Sequence, residues 1–486
     1  MRIHLRVALA AALTLIPAGT ALAQEPVEPA GPDAWTSPNV EYLGSIKQDV
    51  GLTTGARVVP STEPGVPDKL FVHNAKNFTI YDISNPAKPK TMGTIHLNVA
   101  WEGEEIPTDG KLVVLADDYL IADPMCGNPA VGLATQQFSD ASEDGCVQFF
   151  DVRDPSNVKE VGAVRLANHT AECAAPEEDA TDTCEYVYGS AGTIIDARGA
   201  LKGQAPTVIG NWITEMKAQG ANERSCHHIR QLRPGVLLSA CQPFAAMSIN
   251  ASDGGSPAHP VLLADGASPK FVHSARWPRG GRDKFLLTGG ELNFQGRCEL
   301  NDSEFKVFSA EKVLRGESQQ FEGPVAQATP TNGIYVDGNA PAGELGCSEH
   351  WFQEHPSFHD GGLVALSQYE NGVKFLQITP SGQIKQKGFF ISAASSSSSP
   401  KWAPDGRTLY SIDYHRGIDI VRYNGCLYVP GKPSCGPGEL YGTDDAPPAA
   451  ALRAARRGQA KLLAQMRAVG WFPGYCQLIA QRTNGA

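Results

Sequence analysis

Four histidines in this chain share one local pattern: His169-Thr170-Ala171, His227-His228-Ile229, His273-Ser274-Ala275 and His350-Trp351-Phe352. Each stands at or near the start of a short run with strand character. Imidazole is the commonest metal ligand in proteins, and it coordinates in its neutral form. Several imidazoles converging on one point suit copper, iron or zinc. Glu172 and Glu349 lie close to two of these histidines and are placed to orient ring N–H groups from behind. The same polar residues would also serve to hold a column of buried water. His227 is preferred to His228 because it shares the His-x-apolar pattern of the other three. Successive side chains of a strand point to opposite faces, which sends His228 the other way.

A second group is a candidate for binding a ligand. His355 and His359 flank Phe358 in "EHPSFHDGG", where His359 and Asp360 form either an acid–base pair or a turn. His415 and Arg416 stand together in "DYHRGIDIV". His73 lies in an apolar run and reads as a satisfied core residue. The chain has no Gly-x-Ser-x-Gly elbow, His-Glu-x-x-His or phosphate loop.

Residues this far apart form one site only if the fold returns repeatedly to the same place. The sequence contains such a repeat. "KLFVHNAKNFTIYDISNPAKPKTMGTIHL" holds strand-like runs at 70–73, 78–83 and 90–96, with Asn85-Pro86 marking a turn. "GCVQFFDVRDPSNVKEVGAVRL" repeats its second half, with Asp151-Val152 and Asp154-Pro155 in register with Asp82-Ile83 and Asn85-Pro86. Weaker copies follow, at a spacing of about 40–75 residues, which is the mark of a propeller blade. The count reaches seven if "VEYLGSIKQ" near the N-terminus pairs with the last unit. The expected fold is all-β: a seven-bladed β-propeller over 41–425, closed by an N-terminal strand around 42–46. A Cys/Pro/Gly-rich segment and a C-terminal helix, from about 449 to 469, occupy 426–486. The first strand of each blade is innermost, so the four histidines, in the third to sixth units, would meet at the mouth of the central channel.

"FTIYDISNPAKPKTMG" and "VQFFDVRDPSNVKEVG" resemble LVIVD repeats. "HSARWP", "HPSFHDGGLVALSQYENGVKFLQI" and "DYHRGIDIVRY" resemble segments of the LVIVD-repeat proteins exported by actinobacteria. The resemblance covers most of 40–425. It implies a secreted seven-bladed propeller and no particular reaction, since a fold does not carry a function with it. By analogy of fold alone, carotenoid oxygenases hold iron on four axial histidines, and the selenium-binding propellers carry copper-dependent thiol oxidation.

The ends and the composition set the compartment. Arg2 and Arg6 precede an apolar stretch at 7–16, and Ala21-Leu22-Ala23 has the form of a signal-peptidase site, so 1–23 reads as a signal peptide and 24–40 as a linker. Export makes the eleven cysteines a disulfide set. Proximity suggests Cys126–Cys146, Cys173–Cys184, Cys226–Cys241, Cys298–Cys347 and Cys426–Cys435, with Cys476 left over. The formal net charge of −11 and the lack of a basic patch argue against nucleic acid as a partner. No later segment is long and apolar enough for membrane insertion. The expectation is therefore a secreted or periplasmic monomer. It is either a module that binds a small molecule or protein on one propeller face, or a metal-dependent oxidoreductase with its site in the channel.

Overall fold

The computed structural model describes residues 34–48, 53–74, 77–97, 104–117, 145–177, 184–221, 226–266, 271–291, 304–329, 333–334, 348–427 and 449–468. The signal segment, Cys126, Cys298, Cys347, Cys435 and Cys476 lie outside these described residues.

The chain is mostly β, with a few helices. Its strands pair in sequence order into antiparallel units. The first unit is Thr53–Val59, Lys69–Asn74, Asn77–Asp82 and Lys90–His96. The second has three strands, Leu112–Asp117, Cys146–Asp151 and Lys159–Val164, preceded by the segment 104–108, which joins them through a Thr108–Val113 bridge. The third is Ala171–Ala174, Tyr186–Gly189, Thr193–Asp196 and Thr207–Asn211. The fourth is His228–Arg233, Val236–Ala240, Ala245–Ser248 and Val261–Gly266; the fifth is Ser274–Arg276, Phe285–Gly289, Phe305–Ser309 and Gln320–Ala328. A parallel pairing of Asp265 and Gly266 with Gln320 and Phe321 merges these two into one eight-stranded sheet. The sixth is Phe352–Glu354, Gly362–Ser367, Val373–Ile378 and Ile384–Ser392, and the seventh is Ser397–Trp402, Thr408–Asp413 and Gly417–Tyr423.

The repeated Asp corner has a local cause. The carboxylate of Asp82 accepts the Ser84 N–H at 2.8 Å, and those of Asp151 and Asp196 accept the Arg153 and Arg198 N–H groups at 3.1 Å. Each Asp thus ends its strand with a turn bonded to its own side chain. Middle strands such as Leu112–Asp117 and Val373–Ile378 are buried throughout, whereas last strands such as Lys90–His96 are largely open. A strand covered on both faces reads as a continuous apolar run, as "LVVLA" does.

Apolar side chains bind each unit to the next. Phe71, Phe78 and Ile80 of the first pack on Val113, Leu115 and Phe150 of the second. Similar clusters join each later pair, and the last returns Tyr410 and Ile412 of the seventh unit to Leu70 and Val72 of the first. At roughly 1.5–3 kcal/mol for each fully buried large apolar side chain, these seams are the main cohesive term.

The N-terminal strand Val40–Ile46 pairs antiparallel with Gly417–Tyr423, Tyr42 facing Val421 and Ile46 facing Ile418. This supplies the fourth strand of the seventh unit. Ala34–Thr36, expected as linker, adds a strand to the sixth unit opposite Phe390–Ser392. Disulfides join Cys173 to Cys184 and Cys226 to Cys241, as their spacing suggested, and Cys146 and Cys426 are also in disulfide form. Among the described residues no helix is long and apolar enough to cross a membrane.

The C-terminal helix Ala449–Ala468 docks against the sixth unit, with Ala455 in a cluster with Ile334, Phe389 and Ile391. Its interior Gly458 has a specific use, since a Cβ there would stand 2.5 Å from the Cβ of Ala393. Glycine inside a helix costs about 1 kcal/mol relative to alanine, so propensity alone favours Gly458→Ala. The contact reverses that sign. Gly458→Ala should lower the melting temperature and make the helix easier to cleave by limited proteolysis; a raised melting temperature would show that the close approach is not decisive.

Candidate metal centre

Each of the four histidines stands one or two residues before the first strand of its unit. The backbone N–H groups of His227, His273 and His350 are already tied to the second strand, donating to Ala240, Gly289 and Ser367 at 2.9, 2.9 and 3.0 Å. Equivalent positions in four consecutive units therefore hold four imidazoles, and the structure brings them together. The ring centroids run in a series: His169 to His227 at 4.4 Å, His227 to His273 at 3.7 Å, and His273 to His350 at 4.4 Å.

A carboxylate reaches into this arc from the segment 104–108. Glu104 is fully buried. Its oxygens lie 3.1 Å from His350 Nε2, 3.5 Å from His273 Nε2 and 3.7 Å from His227 Nε2. It also accepts the Trp351 Nε1–H at 2.9 Å and the Tyr414 hydroxyl at 2.8 Å. Glu291 approaches His273 Nε2 at 3.8 Å and accepts the Tyr369 hydroxyl at 2.5 Å.

These contacts divide the charges. Burial alone would raise the Glu104 carboxyl, but His350, His273 and His227 overcome it and hold the group well below its ordinary range. His350 is raised: burial opposes its charge, and Glu104 outweighs the burial. Its Nδ1–H donates to the Ser398 carbonyl at 2.8 Å, which directs Nε2 at Glu104. His227 and His273 are lowered by burial first and by neighbouring imidazoles second, so they are held neutral. Their Glu104 contacts are longer than normal hydrogen bonds, and among the described residues all four of their ring nitrogens lack a hydrogen-bond partner. Leaving such a group unsatisfied costs about 1–3 kcal/mol.

The donor set fits a transition metal. Three trios, Glu104–His169–His227, Glu104–His273–His350 and His227–His273–Glu291, each place their ligand atoms within 4.8 Å of one another. Each trio is two imidazoles and one carboxylate. That composition suits iron(II), zinc or copper(II) rather than thiolate-seeking ions.

Other residues singled out from sequence go elsewhere. Glu172 chelates Arg57, with two contacts of 3.2 Å, and Glu349 takes the Gln368 side-chain N–H at 3.1 Å; neither orients a histidine of the arc. His355 follows the strand that His350 precedes, and its nitrogens pair with Ser357 Oγ and the Gly406 carbonyl, both at 2.7 Å. His359 and Asp360 form a half-exposed surface pair at 3.4 Å. Arg416 is bound by both carboxylate oxygens of Asp419 at 2.7 and 2.9 Å, and the backbone N–H of His415 donates to Asp413 at 2.9 Å. His73 meets Thr54 Oγ1 at 3.1 Å within the core. His228 packs its ring 4.6 Å from that of Trp351 and faces Glu105 and Arg230, whereas His227 faces His169, His273 and Glu104. Glu104, Glu291, Tyr369 and Tyr414 were not singled out from sequence. The signal for Glu104 was the Glu-Glu pair of "WEGEEIP", which precedes the second unit's strands much as the histidines precede theirs.

No family model matches the chain, and no curated protein does. Among solved structures, a chain from one titled "Crystal Structure of Mitotic Checkpoint Complex" is similar at a TM-score of 0.44 and 11% identity, over 81% of this chain and 95% of that chain. A likeness this distant says nothing of what the chain does.

The buried imidazoles set a pH dependence. His227, His228 and His273 have folded-state values below the ordinary 6.5, so beneath that pH the unfolded chain binds protons that the folded chain refuses. Stability should fall as pH drops from about 7 towards 5, by up to about 1.4 kcal/mol per pH unit for each such histidine. Urea melts of chelator-treated protein across this range should show that slope. His227→Gln with His273→Gln should flatten it, and an unchanged slope would mean these rings titrate normally.

Proposed function

We propose that this chain is an exported seven-bladed β-propeller of the LVIVD-repeat type, and that it binds a transition-metal ion at the mouth of its channel through His227, His273, His350 and Glu104, with His169 at the edge of the set. The seven successive units, the apolar seams that return to the first, and the repeated Asp corners support the fold reading. The two disulfides support export. The single observation that carries the metal reading is the pair His227 and His273, buried, held neutral, with every ring nitrogen unspent among the described residues, beside a carboxyl held well below its ordinary range.

The function that follows is metal-dependent chemistry on a small molecule, most readily an oxidation. Two imidazoles and a carboxylate with open positions are the ligand set of non-haem iron oxygenases, and iron(II) in such a set supplies dioxygen activation. The protein's own groups have clear parts. Ser398 fixes the His350 tautomer so that Nε2 faces the centre. Trp351 and Tyr414 hold the two oxygens of Glu104, and Tyr369 holds Glu291. Such outer partners typically change metal affinity or activity by about 10–100-fold when removed.

Metal content separates this reading from a binding module without chemistry. Untagged wild-type protein, purified without chelator, should carry about one iron, copper or zinc ion per chain by mass spectrometry, given the strength of multi-imidazole sites. The double variant His227→Ala, His273→Ala should lose it. Near-zero occupancy in the wild type after incubation with all three ions would overturn the proposal.

A further inference from the structure

Beyond Trp351, the innermost strands carry a second polar layer to which each of the seven units contributes one charged residue. Arg57, Arg230, Arg276 and Lys401 come from the first, fourth, fifth and seventh units. Glu105, Glu172 and Glu354 come from the second, third and sixth. Lys401 Nζ lies 2.6 Å from Glu105, Arg57 binds Glu172 at 3.2 Å, and Arg276 lies 3.4 Å from Glu354. Three carboxylates thus take three cations, and the fourth is left over.

That cation is Arg230. Among the described residues it has no ion pair within 4.0 Å, and it shares the layer with two other guanidinium groups. Burial, then Arg276 and Arg57, push it down to about 10. Two independent features point to a missing partner. Arg276 is 3% exposed and His228 1%, yet among the described residues the Arg276 Nε has no hydrogen-bond acceptor and neither His228 ring nitrogen has a partner. Solvent still enters the layer, because the Arg57 side chain keeps 21% of its accessible surface although it stands on an inner strand. A surplus, half-buried cation beside unspent N–H donors, in a space that water reaches, has the chemistry of an oxyanion site.

We propose that Arg230, Arg276 and His228 bind an oxyanion, either inorganic or the carboxylate of a small organic acid. Arg230 is three residues along its strand from His227, and Arg276 three from His273, which sets the anion about 10 Å from the histidine arc at 3.3 Å per residue. Trp351 stands between, its Nε1–H on Glu104 and its ring beside His228, with Lys401 Nζ 5.9 Å from the ring centre. If the metal reading holds, this site gives the substrate class: a small molecule anchored by an anionic group and acted on at its other end. The anion site itself stands on separate residues.

The test is calorimetric titration of the full chain with inorganic phosphate and, separately, with acetate. At least one should bind the wild type, and Arg230→Met should weaken it tenfold or more, with part of the loss restored by Arg230→Lys. Phosphate alone would mark an inorganic oxyanion site, and acetate an organic carboxylate site. Binding should survive in His227→Ala with His273→Ala, so failure of the metal reading would leave it standing. Arg230→Met should also melt above the wild type in anion-free buffer, because it removes a cation that repels Arg276 and Arg57. No binding of either anion, unchanged affinity in Arg230→Met, or a lower melting temperature for that variant would overturn the proposal.

Discussion

A single buried carboxylate organises the inner end of this molecule. Glu104 is fully buried, so its charge must be met by protein groups, and they come from four separate units: His227 of the fourth and His273 of the fifth at long range, His350 and Trp351 of the sixth in direct contact, and Tyr414 of the seventh. A bare carboxylate in such a place would neutralise itself by taking a proton. Here His350, His273 and His227 hold the carboxyl well below its ordinary range, and Glu104 in turn raises His350. That division leaves His227 and His273 neutral between two charged neighbours. Neutral imidazoles beside an anion are what a metal cation needs.

The arrangement depends on closure. His227, His273 and His350 are each fixed by a backbone bond to the second strand of their own unit, and the spacing between units is set by the apolar seams together with polar links such as the Ser274 hydroxyl donating to the His350 carbonyl at 3.2 Å. The strand Val40–Ile46 bears on this although it is far from the site. It covers the edge of Gly417–Tyr423 and so keeps the seventh unit, which carries Ser398 and Tyr414, against both the sixth and the first. The Ser398 hydroxyl donates to the Thr54 carbonyl at 3.0 Å, and its own carbonyl takes the His350 Nδ1–H. The tautomer of a central histidine therefore rests on contacts that span the closing seam.

Much of this was legible in the sequence, and the reason is register. The four histidines repeat one residue type at one place in four consecutive units, and a position before the first strand has one meaning in each of them. The N-terminal strand was legible because the last unit lacked one, and the Cys226–Cys241 bond because its hairpin has a clear turn. Glu104 and Glu105 were harder, since the second unit replaces an inner strand by an irregular segment with no periodic pattern. The layer of Arg57, Glu105, Glu172, Arg230, Arg276, Glu354 and Lys401 was not visible at all. Its members share a level in the fold but not a residue type, and in the four units that carry a histidine they fall three or four positions past it. His355 and Arg416 show the converse: they look chemical in sequence, but turns and neighbouring strands take up their hydrogen bonds.

The claim on which the rest depends is that an ion sits among these imidazoles and nowhere else. X-ray absorption at the metal edge of the loaded protein tests it most directly. The account expects a first shell dominated by imidazole nitrogen at about 2.0–2.2 Å with one or two carboxylate oxygens. A shell made only of oxygen, or one unchanged in His227→Ala with His273→Ala, would contradict it.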